Sequence, residues 1–86
     1  MSPYFAYLVR CADGTFYAGI CTDTERRVAE HNGPSKGARY TKARQPVILA
    51  YREECADRPA ALRREYALKR LKRSEKESLA AGWKPL

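Results

Sequence analysis

The chain has 86 residues, which is enough for one domain with a small core. It carries 17 Lys and Arg against 10 Asp and Glu, and the net charge of +7 favours a polyanionic partner such as nucleic acid or an acidic membrane surface. Residues 58–86 hold a net charge of +6, whereas residues 1–57 hold only +1. A hydrophobic content of 44% is ordinary for a globular protein, so a disordered chain is not expected.

The cysteines predict the compartment. Cys11, Cys21 and Cys55 are odd in number, widely spaced and accompanied by one histidine, which supports neither a disulfide framework nor a Cys/His zinc site. No apolar run approaches the roughly 20 residues needed to span a bilayer, and the N-terminus lacks the features of a secretory signal. We therefore expect a soluble, cytoplasmic protein with reduced thiols.

The N-terminal segment predicts a β-hairpin. Aromatic and branched residues fill Tyr4–Arg10, the pair Asp13–Gly14 supplies a turn, and the pattern resumes in Thr15–Ile20. Gly19 is expected to relieve crowding where the second strand meets the helix that follows.

A short helix is predicted next, through about His31. Thr22 and Asp23 are suitable N-cap residues, and Thr22 with Glu25 matches a capping box. Asn32–Ser35 ends the helix because Gly permits a positive φ and Pro cannot continue the hydrogen-bond ladder. A basic loop follows.

The second half predicts one strand and two helices. Val47–Tyr51 has the pattern of a buried strand, and Asp57 can cap a long helix with Pro59 in its first turn. The inner face of that helix is marked by Ala61, Leu68 and Leu71. Ser74–Glu77 matches a capping box that opens a last helix, which Gly82 closes. The predicted order β-β-α-β-α-α indicates an α/β (α+β) fold in which helices flank a small three-stranded, largely antiparallel sheet.

Five polar side chains are candidates for chemistry: Tyr7, Tyr17, Arg27, His31 and Glu65. The tyrosines lie in the two arms of the hairpin, and four-residue spacing puts Arg27 and His31 on one face of the first helix. A phenol, a guanidinium, an imidazole and a carboxylate together suit phosphoryl transfer, which needs a proton acceptor, positive charge at the phosphate and a metal ligand.

The order and spacing of these residues resemble the motifs of the GIY-YIG nucleases, including the N-terminal nuclease domain of the excinuclease UvrC. The matching segments are Tyr7–Arg10, Tyr17–Ile20, Asp23–Arg27, Glu30–Asn32, and Glu65 with Lys69. The similarity covers about residues 3–73, and the whole chain, 1–86, is similar to the short bacterial stand-alone members, as a single nuclease-like domain. Phe5-Ala6-Tyr7 stands where Gly-Ile-Tyr is typical, and Tyr17-Ala18-Gly19 replaces Tyr-Ile-Gly.

This resemblance implies a metal-dependent endonuclease that hydrolyses phosphodiester bonds in DNA, directed to particular structures or lesions as in DNA repair. Glu65 would hold one Mg²⁺ or Mn²⁺, and Tyr17 would act on the attacking water. Tyr7 and His31 would position or relay the proton. Because a free phenol has a pKa of about 10, Arg27 or the metal is expected to lower it, and Arg27 would also neutralise charge growing on the phosphate.

Two basic clusters are predicted to bind nucleic acid, with DNA favoured over RNA and membrane binding not expected. The first lies in the loop and the second on the long helix and just beyond it: Lys36, Arg39, Lys42 and Arg44; and Arg63, Lys69, Arg70, Lys72 and Arg73. Many members of the family append a separate specificity domain, so a partner protein is expected to supply specificity here.

Structural explanations exist for each candidate. Tyrosines suit a half-buried strand as packing residues, Glu65 with Lys69 is an ordinary i, i+4 helix pair, and Arg27 could pair with Asp23 or Glu30. A histidine near a helix end can simply favour the helix dipole. The alternative functions are therefore a non-catalytic nucleic-acid or ribonucleoprotein binding module and, third, a basic protein of the membrane surface.

Overall fold

The computed structural model describes residues 3–34 and 36–84. Its strands are β1 (Tyr4–Arg10), β2 (Phe16–Cys21) and β3 (Ile48–Cys55), and its helices are α1 (Thr24–His31), α2 (Arg39–Lys42), α3 (Arg58–Arg70) and α4 (Arg73–Gly82). The predicted α+β class and the order β-β-α-β-α-α of the main elements are confirmed. The single turn of α2 was not predicted, since it lies inside what the sequence presented as a basic loop.

The sheet has the strand order β2-β1-β3, and both pairings are antiparallel. Gly14 has a φ of 84° and makes the tight turn between β1 and β2 possible. Within the central strand, Tyr7 lies opposite Gly19 of β2 and Arg52 of β3. A register shift in the pairing with β3 falls between Leu8 and Val9.

Alternate residues of β1 point to opposite faces of the sheet, and each face has its own buried cluster. On one face α3 packs through an apolar cluster of Ala6, Leu8, Ala18, Cys55, Ala61 and Leu68. The other face holds Tyr7, Val9, Cys11 and Val47, with Tyr17, Cys21, Val28 and Leu49 packed against them. Val28 comes from α1, so helices cover both faces.

The third strand differs from its prediction as a buried strand over Val47–Tyr51. It runs from Ile48 to Cys55 because it pairs along the whole length of β1. It is an edge strand, and only Cys55 within it is buried, while Ile48 is 62% exposed. The apolar run therefore reflects pairing along the central strand rather than burial on both faces.

Aspartate side chains cap the first turns of α1 and α3. Asp57 caps α3 as predicted, and Pro59 lies in its first turn. The predicted capping box of Thr22 with Glu25 is wrong, because the extended backbone continues through Asp23, whose carboxylate accepts from the Arg26 amide at 3.0 Å.

The last helix also begins elsewhere than predicted. Its N-cap position is Lys72, whose backbone N–H donates to the Glu75 carboxylate at 2.8 Å, so the box expected at Ser74 with Glu77 does not form. Glu77 is unavailable as a cap because its carboxylate accepts from Nη1 and Nη2 of Arg10. The helix ends at Gly82 as predicted. None of the described helices is long and apolar enough to cross a membrane.

Candidate active site

A chain of buried hydrogen-bonding groups links β1, α1 and α2. The Tyr7 hydroxyl lies 2.8 Å from Nε2 of His31, and Nδ1 of the same ring lies 2.8 Å from Oγ1 of Thr41. The three residues are at most 1% exposed. This arrangement fixes the ring of the chain's single histidine from both sides.

The hydrogen-bond directions follow from Thr41. Its hydroxyl donates to the Ala38 carbonyl at 2.9 Å, so Oγ1 is left to accept a bond from Nδ1–H of His31. The Ala38 amide lies 3.4 Å from Nδ1 and favours the opposite tautomer, but this longer contact is the weaker one. Nε2 then accepts from the Tyr7 hydroxyl, and Tyr7 is aligned to give its proton to His31.

Burial keeps both partners uncharged at neutral pH. It lowers the pKa of His31 to about 4, and the charge of the nearby Arg27 acts in the same direction. Burial also raises the pKa of Tyr7 to about 12, although hydrogen bonding to Arg27 opposes that rise. At Tyr7 desolvation outweighs the guanidinium, so the phenol keeps its proton.

Arg27 stands beside this pair with its side chain 28% exposed. Its Nη1 donates to the Glu30 carboxylate at 3.1 Å and to the Lys36 carbonyl at 3.0 Å. The ion pair with Glu30 is one of the two structural pairings considered from the sequence. These contacts hold the partly exposed guanidinium beside the Tyr7 hydroxyl.

Tyr17 completes the cluster. Its ring meets the His31 ring edge-to-face with centroids 5.4 Å apart, and it stacks on Tyr40 with centroids 5.9 Å apart and planes inclined by 23°. The Arg44 guanidinium covers Tyr40 at 3.9 Å from the ring centroid. Tyr17 is half-buried, whereas Tyr7 and His31 are enclosed, so Tyr17 is the ring that solvent or a substrate can reach.

Gly19 makes room for Tyr7. A Cβ on Gly19 would lie 2.5 Å from the Tyr7 hydroxyl oxygen and 2.7 Å from Cζ. The crowding that this glycine relieves is thus with the phenol opposite it in β1, and the expected role at the junction of β2 and α1 is wrong.

Anchors at the end of α1 bring α2 to the site. The Asn32 amide donates to the Val47 carbonyl and accepts from the Val47 N–H, at 2.9 and 2.7 Å. Gln45 donates to the carbonyls of His31 and Gly33 at 2.7 and 2.8 Å. The intervening loop is held against the helix, which brings Thr41 to His31.

Glu65 lies on α3, one turn from Ala61 and from Leu68, which pack into the apolar cluster on the other face of the sheet. Its side chain is 21% exposed, and its carboxylate lies 3.7 Å from Nζ of Lys69, as the i, i+4 reading anticipated. Hydrogen bonds and ring contacts join Tyr7, Tyr17 and His31, with Arg27 at the phenol. Convergence of Glu65 with them stays a prediction.

The predicted nucleic-acid-binding residues fall into two environments. Most have exposed side chains: Lys36, Arg39, Lys42, Arg63, Lys69, Arg70, Lys72 and Arg73. Arg44 instead bonds to Asp13 and to the Tyr40 carbonyl, both at 3.0 Å, and so braces the hairpin turn against α2.

Comparison with known proteins identifies the family. Residues 3–78 match the GIY-YIG catalytic domain. The chain belongs to the GIY-YIG family. It is 55% identical to a UPF0213 protein of Desulfotalea psychrophila over 88% of this chain and 69% of that protein, and 47% identical to a UPF0213 protein of Halobacterium salinarum over 88% and 97%.

Solved structures agree with this GIY-YIG assignment. The solution structure of a UPF0213 protein from Bacillus halodurans superposes with a TM-score of 0.56 at 37% identity, covering 92% of this chain and 83% of that one. A protein of E. faecalis superposes with a TM-score of 0.59 at 39% identity, covering 91% and 82%. The chain is thus similar to short, stand-alone members of the family.

The two alanines that depart from the GIY-YIG name, Ala6 and Ala18, are at most 4% exposed and belong to the apolar cluster under α3. These two departures therefore fall on the face of the sheet away from the tyrosines, whereas Phe5, in place of the first Gly, lies against Arg52 near the start of α1. Sequence reasoning missed Thr41 and Tyr40, both within the loop. An aromatic and a hydroxyl residue among loop cations were the available signal, but only the fold brings them to His31 and Tyr17.

The residues can accommodate a hard divalent ion of the kind GIY-YIG nucleases generally use. The described parts of the chain contain no group of three or more His, Cys, Asp or Glu side chains that could hold a metal. Mg²⁺, however, commonly binds through one or two carboxylates plus waters and substrate phosphates. The partly exposed Glu65 carboxylate, with only a loose ion pair, fits that kind of site.

Proposed function

We propose that this protein is a metal-dependent endonuclease that hydrolyses phosphodiester bonds in DNA, directed to particular structures or lesions. The main support is the hydrogen-bonded pair of Tyr7 and His31 beside Arg27, within a GIY-YIG domain. Any buried histidine needs hydrogen bonds to both nitrogens, so the support lies in the identity of its partner, a phenol that also lies beside Arg27. The three free cysteines agree with a reducing compartment, and we propose the cytoplasm.

In this proposal the attacking water meets Tyr17, the most accessible ring of the cluster. Tyr7 would pass its proton to neutral His31 as it takes up the proton released by the water, and that proton would then return to the leaving sugar oxygen, so the pair would serve as a proton relay. The water oxygen bonds to phosphorus, and the P–O bond to the leaving sugar oxygen breaks. Bound Mg²⁺ or Mn²⁺ would supply Lewis-acid stabilisation, with Glu65 as its protein ligand.

Arg27 is assigned to the phosphate. Its guanidinium is partly exposed and held in place by Glu30 and the Lys36 carbonyl. Loss of a comparable charge stabiliser costs on the order of 10²–10³ in rate, roughly 3–4 kcal/mol. The exposed cations of α2 and α3 would hold the DNA backbone, with a partner protein adding specificity.

The test is cleavage of single-stranded, nicked, branched and duplex DNA, and of RNA, with Mg²⁺ or Mn²⁺. Wild type is compared with Arg27→Gln and Glu65→Gln, and with Glu25→Gln, on the exposed side of α1, as the charge-matched control for Glu65→Gln. We expect both site variants to retain DNA binding, weakened in Arg27→Gln by no more than one lost phosphate contact. Both should cut DNA about 10²–10³ more slowly, and the control should match wild type.

Two outcomes would contradict the proposal. DNA binding without cleavage by wild type under any of these conditions would favour the binding module. Full activity of Glu65→Gln would leave Glu65 as half of the helix pair with Lys69.

A further inference from the structure

A pocket of about 240 Å³ opens between the hairpin turn, α2 and α4. It is lined by Thr15, Phe16, Tyr40, Arg73 and Lys76. Two of these side chains are cationic, two are aromatic, two carry a hydroxyl, and none is acidic. Such a composition suits an anionic group attached to an organic body.

This pocket shares a wall with the candidate active site. Tyr40 lines the pocket, and its ring stacks on Tyr17 at 5.9 Å between centroids. The Tyr40 hydroxyl donates to Oγ1 of Thr15 at 2.8 Å, which fixes the ring at the pocket edge. A strand that passes Tyr17 would therefore meet this pocket next.

The positive charge of the pocket is only partly compensated. Glu77 lies 3.7 Å from Nε of Arg73, but its carboxylate is shared with Arg10, which binds it through two nitrogens. Asp13 accepts from the Thr15 hydroxyl at 2.6 Å, but its other carboxylate oxygen is paired with Arg44 at 3.0 Å. The side chain of Arg73 is 66% exposed.

We infer that this pocket binds a backbone phosphate of the nucleic-acid strand, next to the phosphodiester held at Tyr17. Arg73 and Lys76 are positioning residues that contact that phosphate, and Tyr40 separates the two phosphate positions. The inference rests on the proposed function, and it adds a defined path for the strand from Tyr17 towards the N-terminal end of α4.

The experiment measures binding of a short fluorescein-labelled DNA duplex without divalent metal, over salt from about 50 to 200 mM. Wild type is compared with Arg73→Gln/Lys76→Gln and with Arg26→Gln/Lys84→Gln, which removes two exposed cations outside the pocket. Two lost phosphate contacts should reduce the salt slope by about 1.8, which corresponds to roughly 60-fold weaker binding at 0.1 M salt. The control should keep the wild-type salt slope, because it loses the same net charge but no phosphate contact in the pocket.

The outcomes separate the two proposals. If wild type binds DNA and both double variants show equal slopes, the pocket is not a phosphate site and the nuclease proposal stands. If wild type does not bind DNA, the nuclease proposal and this inference fall together. Circular dichroism of each variant verifies that the fold is retained.

Discussion

Replacing Gly19 with Ala tests whether the Tyr7 phenol must occupy its observed place. The new Cβ would lie 2.5 Å from the phenol oxygen, and ordinary contact begins at 3.4 Å. The oxygen must therefore move by about 0.9 Å, in a site where Tyr7 and His31 are at most 1% exposed. Overpacking of this kind costs about 1–3 kcal/mol, and a broken hydrogen bond to His31 adds about 0.5–1.5 kcal/mol.

We expect Gly19→Ala to lower the free energy of unfolding in urea by about 1.5–4.5 kcal/mol, as the sum of these effects. Gly82→Ala is the matched control, since nothing lies within 4 Å of a Cβ there. That substitution should be neutral or slightly stabilising. In a Tyr7→Ala background the cost of Gly19→Ala should largely disappear, because the clashing ring is gone.

The reasoning fails if Gly19→Ala unfolds within about 0.5 kcal/mol of wild type, the range typical of surface substitutions that touch nothing. An unchanged cost in the Tyr7→Ala background would also refute it, since the strain would then come from elsewhere.

Three further predictions concern the buried pair. Because the pKa of His31 is about 4 when folded and 6.5 when free, only the unfolded chain binds the extra proton between these values, so the free energy of unfolding of wild type should fall by about 3 kcal/mol from pH 6.5 to pH 4. His31→Gln should lack this loss. Parallel profiles of urea stability against pH for the two proteins would contradict the prediction. Phenolate absorbance should show one of the 6 tyrosines titrating near pH 12, and this step should be missing in Tyr7→Phe. Wild type should lose stability as pH rises from 10 to 12. A Tyr7→Phe titration identical to that of wild type would refute the assignment of this step to Tyr7. Thr41→Val should lower the free energy of unfolding by about 1–3 kcal/mol, because it leaves Nδ1 of His31 without its hydrogen-bond partner. Ser78→Ala, at an exposed hydroxyl, should lower it little. Equal losses in the two variants would refute the role of Thr41 as the partner of His31.

Local patterns in the sequence were sufficient for most of the fold. The hairpin follows from alternating aromatic residues around Asp13–Gly14, and α3 follows from Asp57 and Pro59 at its start. The errors arose where a local signal competed with a distant partner. Ser74 and Glu77 form a good capping box in isolation, but Arg10, in the first strand, pairs with Glu77.

The sequence predicted where the residues of the tyrosine cluster lie, but it did not predict their burial or their pKa values. The spacing of Tyr7, Tyr17, Arg27 and His31 placed them correctly on the hairpin and the first helix. The raised pKa of Tyr7 depends on burial, which requires Thr41 and the anchored loop to close over the pair. No local pattern encodes that closure, since the partners are 10 to 24 residues apart.

Alternate residues of the central strand belong to two different clusters, the apolar cluster under α3 and the cluster that contains Tyr7. Inserting a single residue before Tyr7 would exchange the two faces, so that the Tyr7 phenol would be buried against α3 and Leu8 would point towards His31. Such a register shift would disrupt both the folded core and the candidate active site. Evolution can therefore vary the length of this protein at its hairpin turn or its loops far more freely than within the seven residues of β1.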